Sequence, residues 1–319
     1  MLRSSKKGRT ESGLWVEQFC FQGGSWRPAP VNIRVAQAAS RRIRKSRGDL
    51  YVLIEPPSDR QVPRELYEEL LNKITDVYYS LTGSVTRGLR QALLAANEAL
   101  FEWNLRLDSE HRLLLGLNCA VLREGEIFFA QLGPALSVLV RSGGEAVRYP
   151  QSSIWLQSAH PSAFDLDRDP PAGLRRELEP NFFRVNFEPG DVLLLASTSL
   201  ARLIADPELA ALVAQGEDIQ QSFGKLAQQE DFCVLLVGWS RAPGQQVARP
   251  APEKKVQQAT EPLSVQKEPE ERTVPSSESV LARSESTEEE ILSAKISPEE
   301  EEPAFESSEA VPEEKGAWV

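Results

Sequence analysis

The hydroxyl triplet Ser197-Thr198-Ser199 stands where side chains of this sequence are best placed to do chemistry. It follows Val192 to Ala196, an uninterrupted apolar run of strand length, which itself follows the turn signal Pro189-Gly190-Asp191. The triplet also supplies cap residues for the helical pattern behind it. A strand that is apolar on both sides lies in the middle of a domain. The residues at its C-terminal end therefore open onto whatever site the sheet supports.

Other residues capable of chemistry are isolated or solvated. His160 lies in a segment, 151–180, that is rich in Pro, Asp and Ser, and no second His, Cys or carboxylate stands at metal-ligand spacing from it. It reads as a loop residue. The basic stretch RRIRKSRG, 41–48, reads as a solvated loop between strands, because it has no interleaved aromatics with which to grip a phosphate chain. Cys20, Cys119 and Cys233 fall in apolar, strand-like contexts; an odd count at wide spacing fits neither a disulfide framework nor a zinc site, so buried reduced thiols are expected. Near the C-terminus, Ser284, Ser286 and Thr287 sit beside the acidic run Glu288-Glu289-Glu290, as phospho-acceptors open to a kinase would.

The elements that must position the triplet can be read in order. Residues 14–22 and 31–38 alternate as strands, Leu50 to Ile54 is a short apolar strand, and Glu55-Pro56-Pro57 stops it. Two helical patterns follow, one opened by Pro63 with Leu66, Leu70, Ile74, Val77 and Leu81, the next with Leu89, Leu93, Ala96, Leu100 and Trp103. From 112 to 149 the period returns to two, as a β-meander with turns at Glu124-Gly125 and Gly143-Gly144. Beyond the triplet, Asp206-Pro207 opens a helix ended by Gly216, a further helix covers about 217–228, and Phe232 to Trp239 is a final buried strand.

Charge divides the chain. Of 319 residues, 242–319 hold 18 of the 47 carboxylates and 8 of the 36 Lys and Arg, net −10, which leaves −1 for residues 1–241. A near-neutral body offers no global field for nucleic acid or a membrane surface. The longest nearly apolar run, Leu113 to Leu122, is too short to cross a bilayer, and no h-region follows the basic start, so a cytoplasmic location is expected. The expected organisation is a flexible N-terminus at 1–13, a folded domain at 14–241, and a disordered Glu/Ser/Pro-rich tail at 242–319, with 286–296 as the one segment able to fold on a partner.

Five pieces, LYVLIEP, LLAANEALFEWN, CAVLREGEIFFAQLGPALSVLVRSGG, EPGDVLLLASTSL and EDFCVLLVGW, occur in the order and at the spacing that make residues 14–240 resemble the metal-dependent (PPM-type) protein serine/threonine phosphatases. The resemblance implies an α+β fold, a four-layer αββα sandwich of two antiparallel sheets flanked by helices. In that family, carboxylates at strand ends hold two divalent metal ions that activate a water. Carried over, those positions fall on Glu55, Pro134, Thr198, and Glu230 or Asp231, while the family's early Asn-Glu-Asp element falls near 41–48. Pro134 has no ligating side chain and Thr198 is neutral, so what is left could hold one loose, hydrated Mg or Mn but not a bridged pair. Glu55, Glu230 and Asp231 then read as polar loop ends at a sheet rim.

The sequence thus predicts a degenerate member of that family. Such a pseudophosphatase would have no catalytic residue and no cofactor, and would work by binding a protein partner, either a phosphoprotein or a phosphopeptide-binding domain that reads the tail. Two alternatives are a divergent Mg- or Mn-dependent phosphatase and an anchor domain for an interaction made by the tail.

Overall fold

The computed structural model describes residues 8–9, 13–27, 30–57, 59–214, 219–224 and 230–240. The expected tail, its 286–296 segment and the phospho-acceptor candidates Ser284, Ser286 and Thr287 lie outside the described residues. So does most of the N-terminal stretch, within which β1 (Gly8–Arg9) pairs with β2 (Leu14–Gln22).

The remaining strands are β3 (Ser25–Arg27), β4 (Ile33–Ala36), β5 (Asp49–Glu55), β6 (Gly116–Arg123), β7 (Glu126–Leu132), β8 (Leu136–Val140), β9 (Ala146–Tyr149), β10 (Asn181–Asn186), β11 (Val192–Ala196) and β12 (Phe232–Trp239). They form two antiparallel sheets. One runs β1-β2-β12-β11-β8-β9 with β3 on β2; the other runs β10-β7-β6-β5-β4.

Apolar strands still alternate, because each strand inside a layered structure shows its two faces to two different cores. In β5, Tyr51 and Leu53 enter the core between the sheets while Leu50, Val52 and Ile54 face outward. In β11, Leu193 and Leu195 point inward and Leu194 and Ala196 outward; in β12, Cys233, Leu235 and Val237 point inward and Phe232, Val234 and Leu236 outward. Two outer cores need two helical layers. Helices α2 (Arg64–Ser80) and α3 (Val85–Asn104) cover the five-stranded sheet with the predicted stripe of Leu66, Leu70, Ile74, Leu89, Leu93 and Leu100. On the other sheet, α5 (Ser199–Leu203), α6 (Asp206–Ala214) and α7 (Ile219–Gly224) contribute Leu200, Leu209, Val213, Ile219 and Phe223. The result is the expected αββα sandwich.

Two readings of the sequence are corrected. The stretch 41–48 is a helix, α1 (Arg41–Arg47), capped by the Ser40 hydroxyl; its last residue, Arg47, is buried and donates to the carbonyls of Tyr78 in the last turn of α2 (Arg64–Ser80) and of Gly83 and Ser84 in the link that follows it. A charged side chain can be buried there because helix-end carbonyls lack intrahelical donors. The predicted meander is in fact two hairpins in different sheets, β6–β7 and β8–β9, and the chain crosses between sheets at Gly133-Pro134. Within the irregular excursion, α4 (Ala163–Arg168) carries a Ser162 and Asp165 capping box.

The crossover at Pro134 packs directly on the first residue of β6. A Cβ on Gly116 would stand 1.6 Å from the Pro134 carbonyl oxygen, a backbone atom that cannot step aside. Gly116→Ala is therefore expected to lose about 2–3 kcal/mol of stability by overpacking, measured as the shift of the urea midpoint at unchanged slope.

Candidate functional site

The strand ends meet at one end of the sandwich around a cleft of about 1030 Å³. Glu55 closes β5 in one sheet, and Ser197 and Thr198 follow β11 in the other, so side chains at the ends of both sheets converge there. Pro134, Glu230 and Asp231 line the same cleft. All five positions carried over from the sequence are therefore brought together, whereas the 41–48 segment does not line it. The cleft wall near the N-terminus comes instead from Gln22, Gly23, Arg27, Val31 and Asn32.

Glu55 is not a rim residue, as the sequence had suggested, but is buried. The backbone N–H of Thr198 donates to both of its carboxylate oxygens, at 2.8 and 2.9 Å, and the Thr198 hydroxyl donates to Oε1 at 2.5 Å. Thr198 occupies the position that caps α5, yet its hydroxyl makes no capping bond because it is engaged by Glu55. Burial pushes the Glu55 carboxyl up to about 7, against the pull of the Thr198 hydrogen bonds and the more distant Arg202 guanidinium.

The other carboxylates are also engaged. Glu230 Oε2 lies 3.2 Å from Arg202 Nη2, and Arg202 Nη1 donates to the Trp155 carbonyl. Both oxygens of Asp231 accept from the Gly23 N–H, at 3.1 Å each. Asp59 lies 3.5 Å from Arg60 Nε, and Arg60 Nη1 donates to the Arg112 carbonyl. Arg27 and Arg112 line the cleft, are exposed, and have no carboxylate partner among the described residues. His160 is exposed at the cleft mouth with Trp155 and Pro161, so this loop histidine faces the site although nothing beside it makes a ligand set.

The donor set does not match what a bridged pair of small dications asks for. Such a pair needs several free carboxylate oxygens on one side of the cleft. Here Glu55 uses both oxygens on Thr198, Pro134 offers no side-chain donor, Glu230 is paired with a cation, and no group of three His, Cys, Asp or Glu able to hold a metal occurs among the described residues.

The cysteines depart most from expectation. Cys20 on β2 and Cys233 on β12 are directly opposite in register, with Cα atoms 4.0 Å apart, and are joined as a disulfide across 213 residues of sequence. Only Cys119 is free, and burial pushes its thiol up. Sequence reasoning also missed Asn32, Arg27, Arg112 and Arg202; each stands in a segment without a motif, and only the folded chain brings it to the cleft.

This fold is that of the PPM-type serine/threonine phosphatases. PppA of Pseudomonas aeruginosa, described as a key regulatory component of the T6SS there, is similar with a TM-score of 0.51 at 18% identity, over 71% of this chain and 98% of that one. The S. agalactiae serine/threonine phosphatase gives 0.51 at 14% identity, over 70% and 99%. The catalytic domain of the phosphatase PstP, solved in complex with 2 manganese ions, gives 0.50 at 15% identity, over 72% and 99%. No family model and no curated protein matches the sequence. Among the described residues, no helix is long and apolar enough to cross a membrane.

The raised Glu55 carboxyl makes a prediction about pH. Between about 4.5 and about 7 the unfolded chain ionises this group while the folded chain keeps it protonated, so its contribution to stability is full below pH 4.5 and is lost as pH rises through 7. Glu55→Gln should remove about 3 kcal/mol from the fall in unfolding free energy, read by urea titration, between pH 4.5 and 7. An unchanged slope would place the carboxylate in a solvated environment.

Proposed function

We propose that this protein is a catalytically inactive PPM-type phosphatase-like protein, a pseudophosphatase that binds phosphorylated protein segments in its cleft and regulates by binding. The observation that carries this reading is the pair of hydrogen bonds from Thr198 to Glu55, at 2.8 and 2.5 Å. At the positions that the resemblance assigns to metal ligands, the buried carboxylate Glu55 is satisfied by the chain's own Thr198, and Pro134 has no side-chain donor. A Lewis acid that lowers the pKa of a water has no seat of that kind here.

Binding is a different matter, because Arg27 and Arg112 in the cleft have no carboxylate partner among the described residues. Guanidinium groups recognise phosphate by charge-assisted, two-pronged hydrogen bonds and need no metal. PppA, described as a key regulatory component of the T6SS, has a similar fold, which supports a regulatory reading. In this reading the protein acts in the cytoplasm. Its acidic tail, with Ser284, Ser286 and Thr287, recruits a phosphopeptide-binding partner.

Full-length protein is expected to show no turnover of an aryl phosphate or a phosphopeptide with magnesium or manganese. Metal-dependent hydrolysis that Glu55→Ala abolishes would instead establish a divergent phosphatase. On an array of phosphoserine and phosphothreonine peptides and their unmodified counterparts, the full chain should prefer the phosphorylated set. Arg27→Ala with Arg112→Ala should weaken that binding by about tenfold, ~1.4 kcal/mol. Equal binding of both peptide sets would end the reading.

A further inference from the structure

The Cys20–Cys233 pair lies at the floor of the cleft, in the core between the sheets, and its surroundings are unlike those of a structural staple. Both residues are buried, yet Cys233 lines the cleft, two residues after Asp231, and Cys20 leads within two residues to the Gln22-Gly23 wall. The Cys233 backbone is turned away from Cys20. Its N–H donates to the Ser197 hydroxyl at 2.9 Å and its carbonyl accepts from the Ser197 N–H at 3.0 Å. Toward β2 the two cysteines therefore form a non-hydrogen-bonded pair, the position at which opposed side chains come closest.

The third partner is Asn32. Its amide is buried, and Nδ2 donates to the Ile54 carbonyl at 2.8 Å. A carbonyl accepts and cannot donate, so this bond fixes which way the amide faces. Oδ1 is thereby turned to the two sulfurs, 3.7 Å from each, and no other donor to it occurs among the described residues. Two thiols can supply that oxygen with S–H donors. A disulfide carries no hydrogen, so forming it removes the donors from a buried carbonyl oxygen, which is unfavourable unless the amide turns to find water. Asn32 therefore favours the dithiol, while the register of β2 and β12 holds the sulfurs within bonding reach.

We propose that Cys20 and Cys233 are a reversible thiol–disulfide pair, that Asn32 senses its state, and that the change is passed through the Ile54 carbonyl to Glu55 and the cleft floor. The proposal does not depend on what the cleft binds. The oxidant is a small disulfide such as glutathione disulfide. Cys233 reacts first, since it faces the cleft and the amide groups Gln22 Nε2 and Asn32 Nδ2 lie 3.6 and 3.5 Å from its sulfur, where they solvate a thiolate. Its thiolate attacks one sulfur of the oxidant and releases one glutathione thiolate. The Cys20 thiolate then attacks the Cys233 sulfur of the mixed disulfide and releases the second. Two thiols lose two electrons and two protons, and one disulfide becomes two thiols.

The test equilibrates full-length protein in glutathione buffers from strongly reducing to strongly oxidising, traps free thiols with an alkylating reagent in denaturant, and counts them by mass. The expected result is a reversible change between three free thiols and one, the survivor being Cys119, with a midpoint inside the buffer range. The Cys20→Ser variant should stop at a glutathione adduct on Cys233. Replacing the amide by Asn32→Leu should move the midpoint about tenfold toward the disulfide, some 30 mV for a two-electron couple; if that variant does not fold, the milder Asn32→Ser serves. Amide hydrogen exchange at 30–33, 53–56 and 197–198 should differ between oxidised and reduced protein. A pair that stays wholly oxidised or wholly reduced across the range overturns the proposal. So does a midpoint that neither Asn32 variant moves, or an exchange pattern at the cleft floor that ignores the state of the pair.

Discussion

Taking a carboxylate out of water costs several kcal/mol unless charge or hydrogen bonds replace its hydration, and the cleft of this protein is built around that requirement at Glu55. The carboxylate comes from the five-stranded sheet, and the N–H and hydroxyl that satisfy it come from Thr198, just past the end of the interior strand β11 of the seven-stranded one. The contact is therefore a tie between the two sheets as well as a compensation. Here the tie is made by neutral groups of the chain itself, so the cleft keeps its shape without an ion, and the carboxyl is free to hold a proton near neutral pH.

Much of the fold was legible because layers impose strong patterns. The apolar runs at Leu50 to Ile54, Val192 to Ala196 and Phe232 to Trp239 are the central strands, and the stripes after Pro63 and Ser84 are the two long helices. The failures have physical causes. Arg41 to Arg47 has no apolar stripe, since six of its residues face water and the seventh is buried against carbonyls, so hydrophobic periodicity could not reveal a helix. The two hairpins read as one meander because local turn chemistry at Glu124-Gly125 and Gly143-Gly144 is the same whichever sheet a hairpin joins. The step between sheets lies in the three residues Gly133, Pro134 and Ala135, too few to carry a signal of their own.

The site was legible in position and not in partnership. Five residues separated by as much as 176 positions were placed together by resemblance, and they line one cleft. What each does there depends on neighbours that no local pattern links to it: Thr198 for Glu55, Arg202 for Glu230, Gly23 for Asp231. Cysteine spacing failed for the same reason. Cys20 and Cys233 are near opposite ends of the domain, and only the pairing of an early strand with the last one makes them neighbours.

Carboxylates that line a cleft set its field toward anions whether or not a metal is bound. When dications are present, acidic residues around them are balanced and the cleft as a whole attracts anions. Without them, any carboxylate left unpaired would repel an incoming anion. In this chain part of that repulsion is offset: Glu55 is pushed toward its neutral form, Glu230 is matched by Arg202 and Asp59 lies beside Arg60, while Asp231 accepts from the Gly23 backbone N–H. Arg27, Arg60, Arg112 and Arg202 then stand against Asp59, Glu230 and Asp231, so with Glu55 protonated one positive charge is left over in the cleft. A guanidinium holds an anion but cannot acidify a water as a bound dication does. In the reading proposed above, these guanidinium groups are what the cleft offers a phosphate.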